Sequence, residues 1–167
     1  MPDQDQLLRD HLLELLQGGH AHLTLEKALA NLPADLRGHK APNLPHTIWQ
    51  LLEHLRIAQW DIVEFSRGPN HVSPTWPEGY WPKTEAPPDA ATWDHAVAAF
   101  NRDLQTMRDL VADPKTDLYA KLPWGDGQTV LREAMMLADH NAYHLGQLVT
   151  VRQALGIGSR SKPDPSI

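Results

Sequence analysis

The chain has 167 residues, 41% hydrophobic and 22% charged, which is enough to bury one core and ordinary for a single globular domain. It contains no cysteine, which excludes disulfides, thiolate metal sites, iron–sulfur clusters and a cysteine nucleophile. The net charge of −6 without a Lys/Arg cluster argues against a nucleic-acid partner. No apolar run could cross a membrane, and acidic residues stand where a secretory signal would be basic, so we expect a cytoplasmic protein.

The first helix candidate is a leucine-rich segment near the amino terminus that contains no proline to interrupt a helix. Its leucines follow helical spacing up to a pair of glycines, and apolar spacing resumes after them. We expect a helix from about Gln4 to Asn31 that is kinked or broken between Gly18 and His22, with Thr24 capping the second part. A continuous helix that tolerates both glycines, at about 1 kcal/mol each relative to alanine, is the alternative.

Two further helices are predicted in proline-free segments. The second begins at Thr47, which forms a capping box with Gln50, continues as an apolar stripe of helical period, and ends at Gly68-Pro69. The third lies between residues 89 and 113, where apolar residues recur at alternating steps of four and three.

The fourth helix is predicted to run from a cap at Thr129 to Leu155, with Gly156 as the stop signal. Two connections, at about 67–91 and 113–128, are too long for tight helix hairpins. No stretch alternates with the period of two that is typical of a half-buried strand. The pattern therefore predicts an all-α four-helix bundle with long crossover loops.

The domain organisation is predicted to be simple. Residues 1–158 form a single domain, and no internal repeat divides it. Residues 159–167 contain two prolines and little apolar content, so we expect a flexible tail. The 67–91 loop is rich in tryptophan and proline, so it is expected to pack over the bundle.

A histidine pair on the fourth helix is the main candidate for chemistry. His140 and His144 are four positions apart, which places them about 40° apart around a helix and about 6 Å along it, so both rings can reach one ion. Alone, such a pair can also be coincidental or a surface pair. The metalloprotease pattern is missing because Asn141 follows His140, and the Glu-x-x-His spacing of di-iron bundles does not occur.

The third ligand candidate is His54, one step from the apolar stripe of the second helix. The alternative interpretation is a histidine at the edge of the core that donates to a backbone carbonyl. Three histidines from two facing helices would leave coordination positions open, which is typical of a catalytic or substrate-binding metal and not of a closed structural site.

The other seven histidines give weaker signals. His20 and His22 flank the predicted helix break and can line a pocket, with loop exposure as the alternative. The sequence suggests no partner for the remaining five, which are His11, His39, His46, His71 and His95.

Two segments, HTIWQLLEHLRIAQWDI and ADHNAYHLGQLVTVRQALG, resemble the DinB-like (DinB/YfiT) superfamily. The resemblance spans about residues 7–156 and implies a four-helix bundle of up-down-down-up topology. It implies a metal triad at His54, His140 and His144 that holds one divalent ion, with zinc or nickel expected. It also implies a homodimer, and some members are S-transferases or isomerases that use a low-molecular-weight thiol.

These features favour a metal-dependent enzyme of the thiol-dependent S-transferase or hydrolase type that acts on a small molecule. Asp61, seven positions after His54, is the candidate to orient a ligand or act as a base, and a solvated carboxylate is the alternative. Asp139 and Asn141 are similar candidates beside the pair. A non-catalytic metal-binding or stress-response protein is the alternative function, and a helical interaction module without metal is the third hypothesis.

Overall fold

The computed structural model describes residues 3–157, which are all-α as predicted. Two 3-10 turns, at Ala34–Leu36 and Glu78–Tyr80, interrupt the connections. In this part of the chain no strand is present and no helix is long and apolar enough to span a membrane. The predicted tail at 159–167 and the domain end at 158 lie outside the described residues. The helices are α1 (Gln4–Gln17), α2 (Leu25–Leu29), α3 (Ile48–Arg67), α4 (Ala90–Ala112) and α5 (Val130–Ala154).

The helix starts are set by side-chain caps, as the sequence indicated. The hydroxyls of Thr24, Thr47 and Thr129 each accept a backbone N–H three residues on, and Gln50 completes the predicted capping box by accepting the Thr47 N–H at 3.0 Å. Asp89 caps α4 in the same way, at 2.7 Å from the Thr92 N–H. These bonds satisfy donors that a helix start leaves free.

The predicted break in the first helix is confirmed, and the continuous alternative is wrong. Helix α1 ends at Gln17, and Gly18 follows with φ +67°, a conformation that favours glycine. The Gly18 N–H bonds to the carbonyls of Glu14 and Leu15, which closes the last turn. Six further residues separate this glycine from α2, which begins after the Thr24 cap.

The core has two layers along the bundle. The first joins α2, the amino-terminal halves of α3 and α4, and the carboxyl-terminal half of α5; among its fully buried members are Ile48, Leu52 and Leu148. The second joins α1 with the opposite halves of the same three helices, and Met107, Val111, Ala134 and Leu137 are fully buried there. Helix α3 therefore packs along α4 and α5 over both layers, which makes it a rigid support for side chains directed at α5.

The 68–89 connection is fixed against the start of α3, as expected for the aromatic loop. The Thr47 hydroxyl donates to the Glu85 carbonyl at 2.7 Å, and the Trp49 indole N–H donates to the Thr84 hydroxyl at 3.1 Å. Further down α3, the 3-10 turn at Glu78–Tyr80 lies against the helix. The loop thus brings its aromatic residues to the face of α3 that carries His54.

Candidate metal centre

The three predicted ligands meet at one point between α3 and α5. His54 lies on α3, and His140 and His144 lie one turn apart on α5. The Nε2 atom of His54 is 3.1 Å from the Nε2 atom of His144 and 3.2 Å from the Nε2 atom of His140. Within the described residues these three histidines are the only group of three or more potential metal ligands that come this close together.

The hydrogen bonds on the far side of two rings define what these nitrogens present to each other. His54 Nδ1 lies 2.9 Å from the carbonyl oxygen of Tyr80, which can only accept, so Nδ1 carries the proton. His144 Nδ1 lies 2.8 Å from the side-chain oxygen of Gln147, which fixes the same tautomer. In the neutral rings both Nε2 atoms are therefore unprotonated, and two lone pairs face each other at 3.1 Å. Such a pair repels unless a cation lies between the nitrogens.

The spacing of the nitrogens matches a bound ion. Two nitrogens at about 2.05 Å from zinc lie about 3.3 Å apart at a tetrahedral angle and about 2.9 Å apart at a right angle. The observed separations of 3.1 and 3.2 Å fall between these values. The two distances from His54 therefore fit a divalent transition metal.

Burial keeps the ligands neutral, which metal binding requires. His54 is 2% exposed, and burial lowers its pKa to about 4, with smaller contributions from the neighbouring imidazoles opposing the Tyr80 bond. Burial likewise lowers the pKa of His140 to about 4, with repulsion from the other two ligands adding to it. The pKa of His144 is also lowered by burial, against the bond to Gln147. All three lone pairs are thus available at neutral pH.

Aromatic side chains surround the centre. The Trp81 indole stacks on the His54 ring, with centroids 4.0 Å apart and planes 3° apart. It also stacks on His46 at 4.1 Å, and burial, then Lys40, lowers the pKa of that imidazole. Tyr143 meets the edge of His144 and stays 63% exposed. No partner for His46 could be predicted, because its contact is made by a residue of a distant loop.

A buried polar relay lies beside His140. Asn141 Nδ2 donates to Gln59 Oε1 at 2.8 Å, and Gln59 Nε2 donates to the Phe100 carbonyl at 2.6 Å, which links α5, α3 and α4. Asn141, which was predicted to support the ligands, donates its amide to Gln59, and its side chain also raises the pKa of His140 against the larger lowering by burial. His140 Nδ1 is buried without a hydrogen-bond partner in the described part of the chain. Gln59 was not predicted as part of the site, although a polar residue four positions after Leu55 interrupts the apolar stripe.

Asp61 is held away from direct contact with the ligands. Its carboxylate accepts the His71 Nε2–H at 2.7 Å and the Tyr80 hydroxyl at 2.6 Å, and no hydrogen bond joins it to the three histidines among residues 3–157. Burial, then the bond to Asp61, raises the pKa of Tyr80 to about 12, so the phenol remains a donor. His71, for which the sequence suggested no partner, is therefore hydrogen-bonded to Asp61. Asp61 reaches His54 only through Tyr80, and its role as a base stays a prediction.

The two histidines at the helix break lie apart from this centre. His20 and His22 are exposed and line an open cavity of about 360 Å³ between α1 and α5, together with Met135 and Asp139. Both expectations for them, pocket lining and loop exposure, therefore hold. None of the three ligands lines this cavity, and Asp139, the other predicted supporting residue, lies here. Gln147 supports His144 instead.

Comparison with known proteins agrees with the resemblance of the two histidine segments. A family model of the DinB superfamily matches residues 19–148, which is 130 of the 167 residues and includes all three histidines. No curated protein and no solved structure matches the chain. The extent of the family match shows that the chain belongs to the DinB superfamily.

Proposed function

We propose that His54, His140 and His144 hold one divalent transition-metal ion and that the protein is a metal-dependent enzyme of the thiol-dependent S-transferase or hydrolase type. One observation carries the proposal: the unprotonated Nε2 atoms of His54 and His144 face each other at 3.1 Å. A metal-free helical module has no use for this arrangement, because burying two mutually repelling imidazoles destabilises the fold. A cation between them turns the repulsion into two bonds.

The number of ligands favours a reactive site. Structural zinc sites are closed by four protein ligands, whereas catalytic sites have three and an open position. No Asp or Glu among residues 3–157 joins the three histidines. When bound, a divalent ion supplies Lewis acidity and lowers the pKa of a water or thiol at the open position.

The surrounding residues have separable roles in this proposal. The Tyr80 carbonyl and Gln147 orient His54 and His144, so that both Nε2 lone pairs point to the centre. Trp81 covers one face of His54 and excludes water there. Exposed Tyr143 lies at the outer edge of His144, where it offers an apolar surface to a small-molecule substrate.

The choice of metal is proposed to lie between zinc and nickel. Neutral imidazole suits both ions, and the site contains neither the thiolates that favour copper(I) nor a carboxylate-rich set that favours magnesium or calcium. A low-molecular-weight thiol is the proposed second cofactor, because an ion with an open position binds and deprotonates thiols.

The first experiment measures metal content. Protein purified without an affinity tag or chelator is expected to contain about one equivalent of zinc or nickel by elemental analysis, and His144→Ala should contain none. His11→Ala, the same change at an exposed histidine of α1, is the matched control and should retain the metal. Wild-type protein that stays metal-free after incubation with either ion contradicts the proposal.

The second experiment separates an enzyme from a binding protein. Metal-loaded protein is incubated with bacillithiol, mycothiol or glutathione, each with a panel of electrophiles, and separately with ester substrates. Turnover that disappears in the metal-free protein and in His144→Ala supports the enzyme. A thiol that binds without turnover across the panel would instead favour a non-catalytic metal-binding or stress-response protein.

We also propose the up-down-down-up order for α1, α3, α4 and α5. The core layers support it, because α3 and α4 contribute their amino-terminal halves to the same layer, while α5 contributes its carboxyl-terminal half. Arg9 of α1 donates to the Val111 carbonyl near the end of α4, and Leu16, later in α1, lines a cavity with Phe100, earlier in α4. These two contacts support opposite directions for α1 and α4. The homodimer and the cytoplasmic location stay predictions. Sedimentation in the analytical ultracentrifuge tests whether the protein is a dimer.

A further inference from the structure

The support of His54 extends through a cluster of three side chains that we name the carboxylate anchor: Asp61, His71 and Tyr80. Both carboxylate oxygens of Asp61 are used, Oδ1 by the His71 ring at 2.7 Å and Oδ2 by the Tyr80 hydroxyl at 2.6 Å. The side chains of His71 and Asp61 are only 8% and 15% exposed. Short hydrogen bonds to a shielded carboxylate are among the strongest in proteins, so the anchor is a firm contact.

We propose that Asp61 and His71 are positioning residues of the metal centre, which fix Tyr80 so that its carbonyl stays against His54 Nδ1. The inference rests on the metal site proposed above, and it assigns Asp61 a role other than that of a base. Each oxygen of this carboxylate already accepts one donor, and the two bonds direct the oxygens to His71 and Tyr80.

The spacing along α3 explains how Tyr80 can contact both His54 and Asp61. His54 and Asp61 are seven positions apart, which is two turns on the same helix face and a rise of about 10.5 Å. Tyr80 spans this distance, with its carbonyl at His54 and its hydroxyl at Asp61. The residue is therefore held at two points on one rigid helix, and the phenol sets where the carbonyl lies.

The anchor matters because Tyr80 itself belongs to a loop. It ends the 3-10 turn at Glu78–Tyr80, where its own N–H bonds to the Pro77 carbonyl. Without the phenol bond, the carbonyl would be held only by this local turn and by the stacking of the next residue, Trp81, on His54. His71 adds a second donor to Asp61, and its ring lies edge-on against Trp60 of α3, which fixes the carboxylate in turn.

Removal of the carboxylate anchor is expected to lower metal affinity without the loss of a ligand. A carbonyl that accepts from Nδ1 keeps the ring in the tautomer with a free Nε2 lone pair and makes that nitrogen a better donor. Removal of such supporting residues typically lowers metal affinity about 10- to 100-fold. Because the anchor acts one residue further out, we expect an effect at the lower end of that range, about 10-fold.

The test compares two tyrosine substitutions. Tyr80→Phe removes the hydroxyl and leaves the backbone carbonyl and the aromatic ring, whereas Tyr119→Phe makes the same change at an exposed position and is the matched control. The dissociation constant for zinc is measured by competition with a chromophoric chelator. Tyr80→Phe is expected to raise it about 10-fold and Tyr119→Phe to leave it within about 2-fold of the wild type.

Two further measurements identify a positioning role. Cobalt(II)-loaded Tyr80→Phe should show a shifted d–d absorption band, since the electronic state of His54 changes, and Tyr119→Phe should not. His71→Ala should weaken zinc binding in the wild-type background and have a smaller effect when combined with Tyr80→Phe, because both act through one carboxylate. Additive effects of the two substitutions would argue against a shared anchor.

The outcomes distinguish this inference from the function on which it rests. Wild-type protein that binds no zinc overturns the metal centre and the anchor together. Wild-type protein that binds zinc, with Tyr80→Phe and Asp61→Asn matching both its affinity and its cobalt spectrum, overturns the anchor alone. Thermal unfolding of the metal-free variants shows whether an affinity loss accompanies general unfolding, which would also count against a positioning role.

Discussion

Replacement of Gln59 by methionine tests whether the buried relay beside the metal centre stabilises the fold. Gln59 is fully buried and makes two hydrogen bonds, one with Asn141 and one with the Phe100 carbonyl. Methionine has similar length and fits irregular core space, so the change removes the bonds with little change in packing. The Asn141 amide would lose its partner in the core, at a cost of about 1–3 kcal/mol. The Phe100 carbonyl lies inside α4 and keeps its helical bond, so the loss there is about 1 kcal/mol.

Together these terms predict that Gln59→Met lowers the free energy of unfolding by about 2–4 kcal/mol. For a domain of this size, each kcal/mol shifts the melting temperature by about 2–4 °C, so a decrease of roughly 5–15 °C is expected. Urea unfolding followed by circular dichroism measures the first quantity and thermal unfolding the second. Gln105→Met, at an exposed position of α4, is the control and should change stability by less than about 0.5 kcal/mol. Equal stabilities for the two variants would refute the reasoning.

Metal binding, the buried histidines and Arg9 should each affect the stability of the fold. Zinc at about 1,000 times its dissociation constant should stabilise wild-type protein by about 4 kcal/mol in thermal unfolding and leave His144→Ala unchanged; an equal shift in both would contradict the site. The metal-free protein should lose stability as pH falls from about 6.5 to about 4. The pKa values of His54 and His140 are lower in the folded protein than in the unfolded chain, so the unfolded chain binds more protons in this range. A urea midpoint that does not change between pH 7 and 5 would refute this. Arg9 is 4% exposed and donates to the carbonyls of Val111, at the end of α4, and of Asp113 and Thr116, which follow it. Arg9→Met should therefore cost about 2–4 kcal/mol in urea unfolding, whereas exposed Arg67→Met should cost less than about 1 kcal/mol. Similar losses in both arginine variants would count against the capping role.

Much of the fold could be predicted because its signals are local. The capping box at Thr47 and Gln50, the cap at Thr129 and the break at Gly18 each depend on bonds within a few residues, which the sequence specifies directly. The pair on α5 was visible for the same reason, since one helical turn brings both rings together. His54 required only the further step that its helix packs against α5.

The contacts around the ligands could not be predicted, because the 68–89 loop makes many of them. Trp81 and Tyr80 reach His54 from a segment without periodicity, so no pattern in the sequence fixes which residues face the site. His71 pairs with Asp61 across ten positions of helix end and loop. His46 meets Trp81 across a still longer separation. Non-local contacts of this kind follow from packing and not from spacing.

The three ligands differ in how they are supported, and this difference has a physical consequence. His144 is oriented by Gln147 three residues on in the same helix, so its support survives any movement of the loop. His54 depends on the Tyr80 carbonyl and therefore on the loop. If the loop moved, His54 alone would lose its oriented lone pair, while the two ligands on α5 would remain in place. If the three histidines hold a metal as proposed, its affinity should therefore depend on the order of the 68–89 loop through His54 alone.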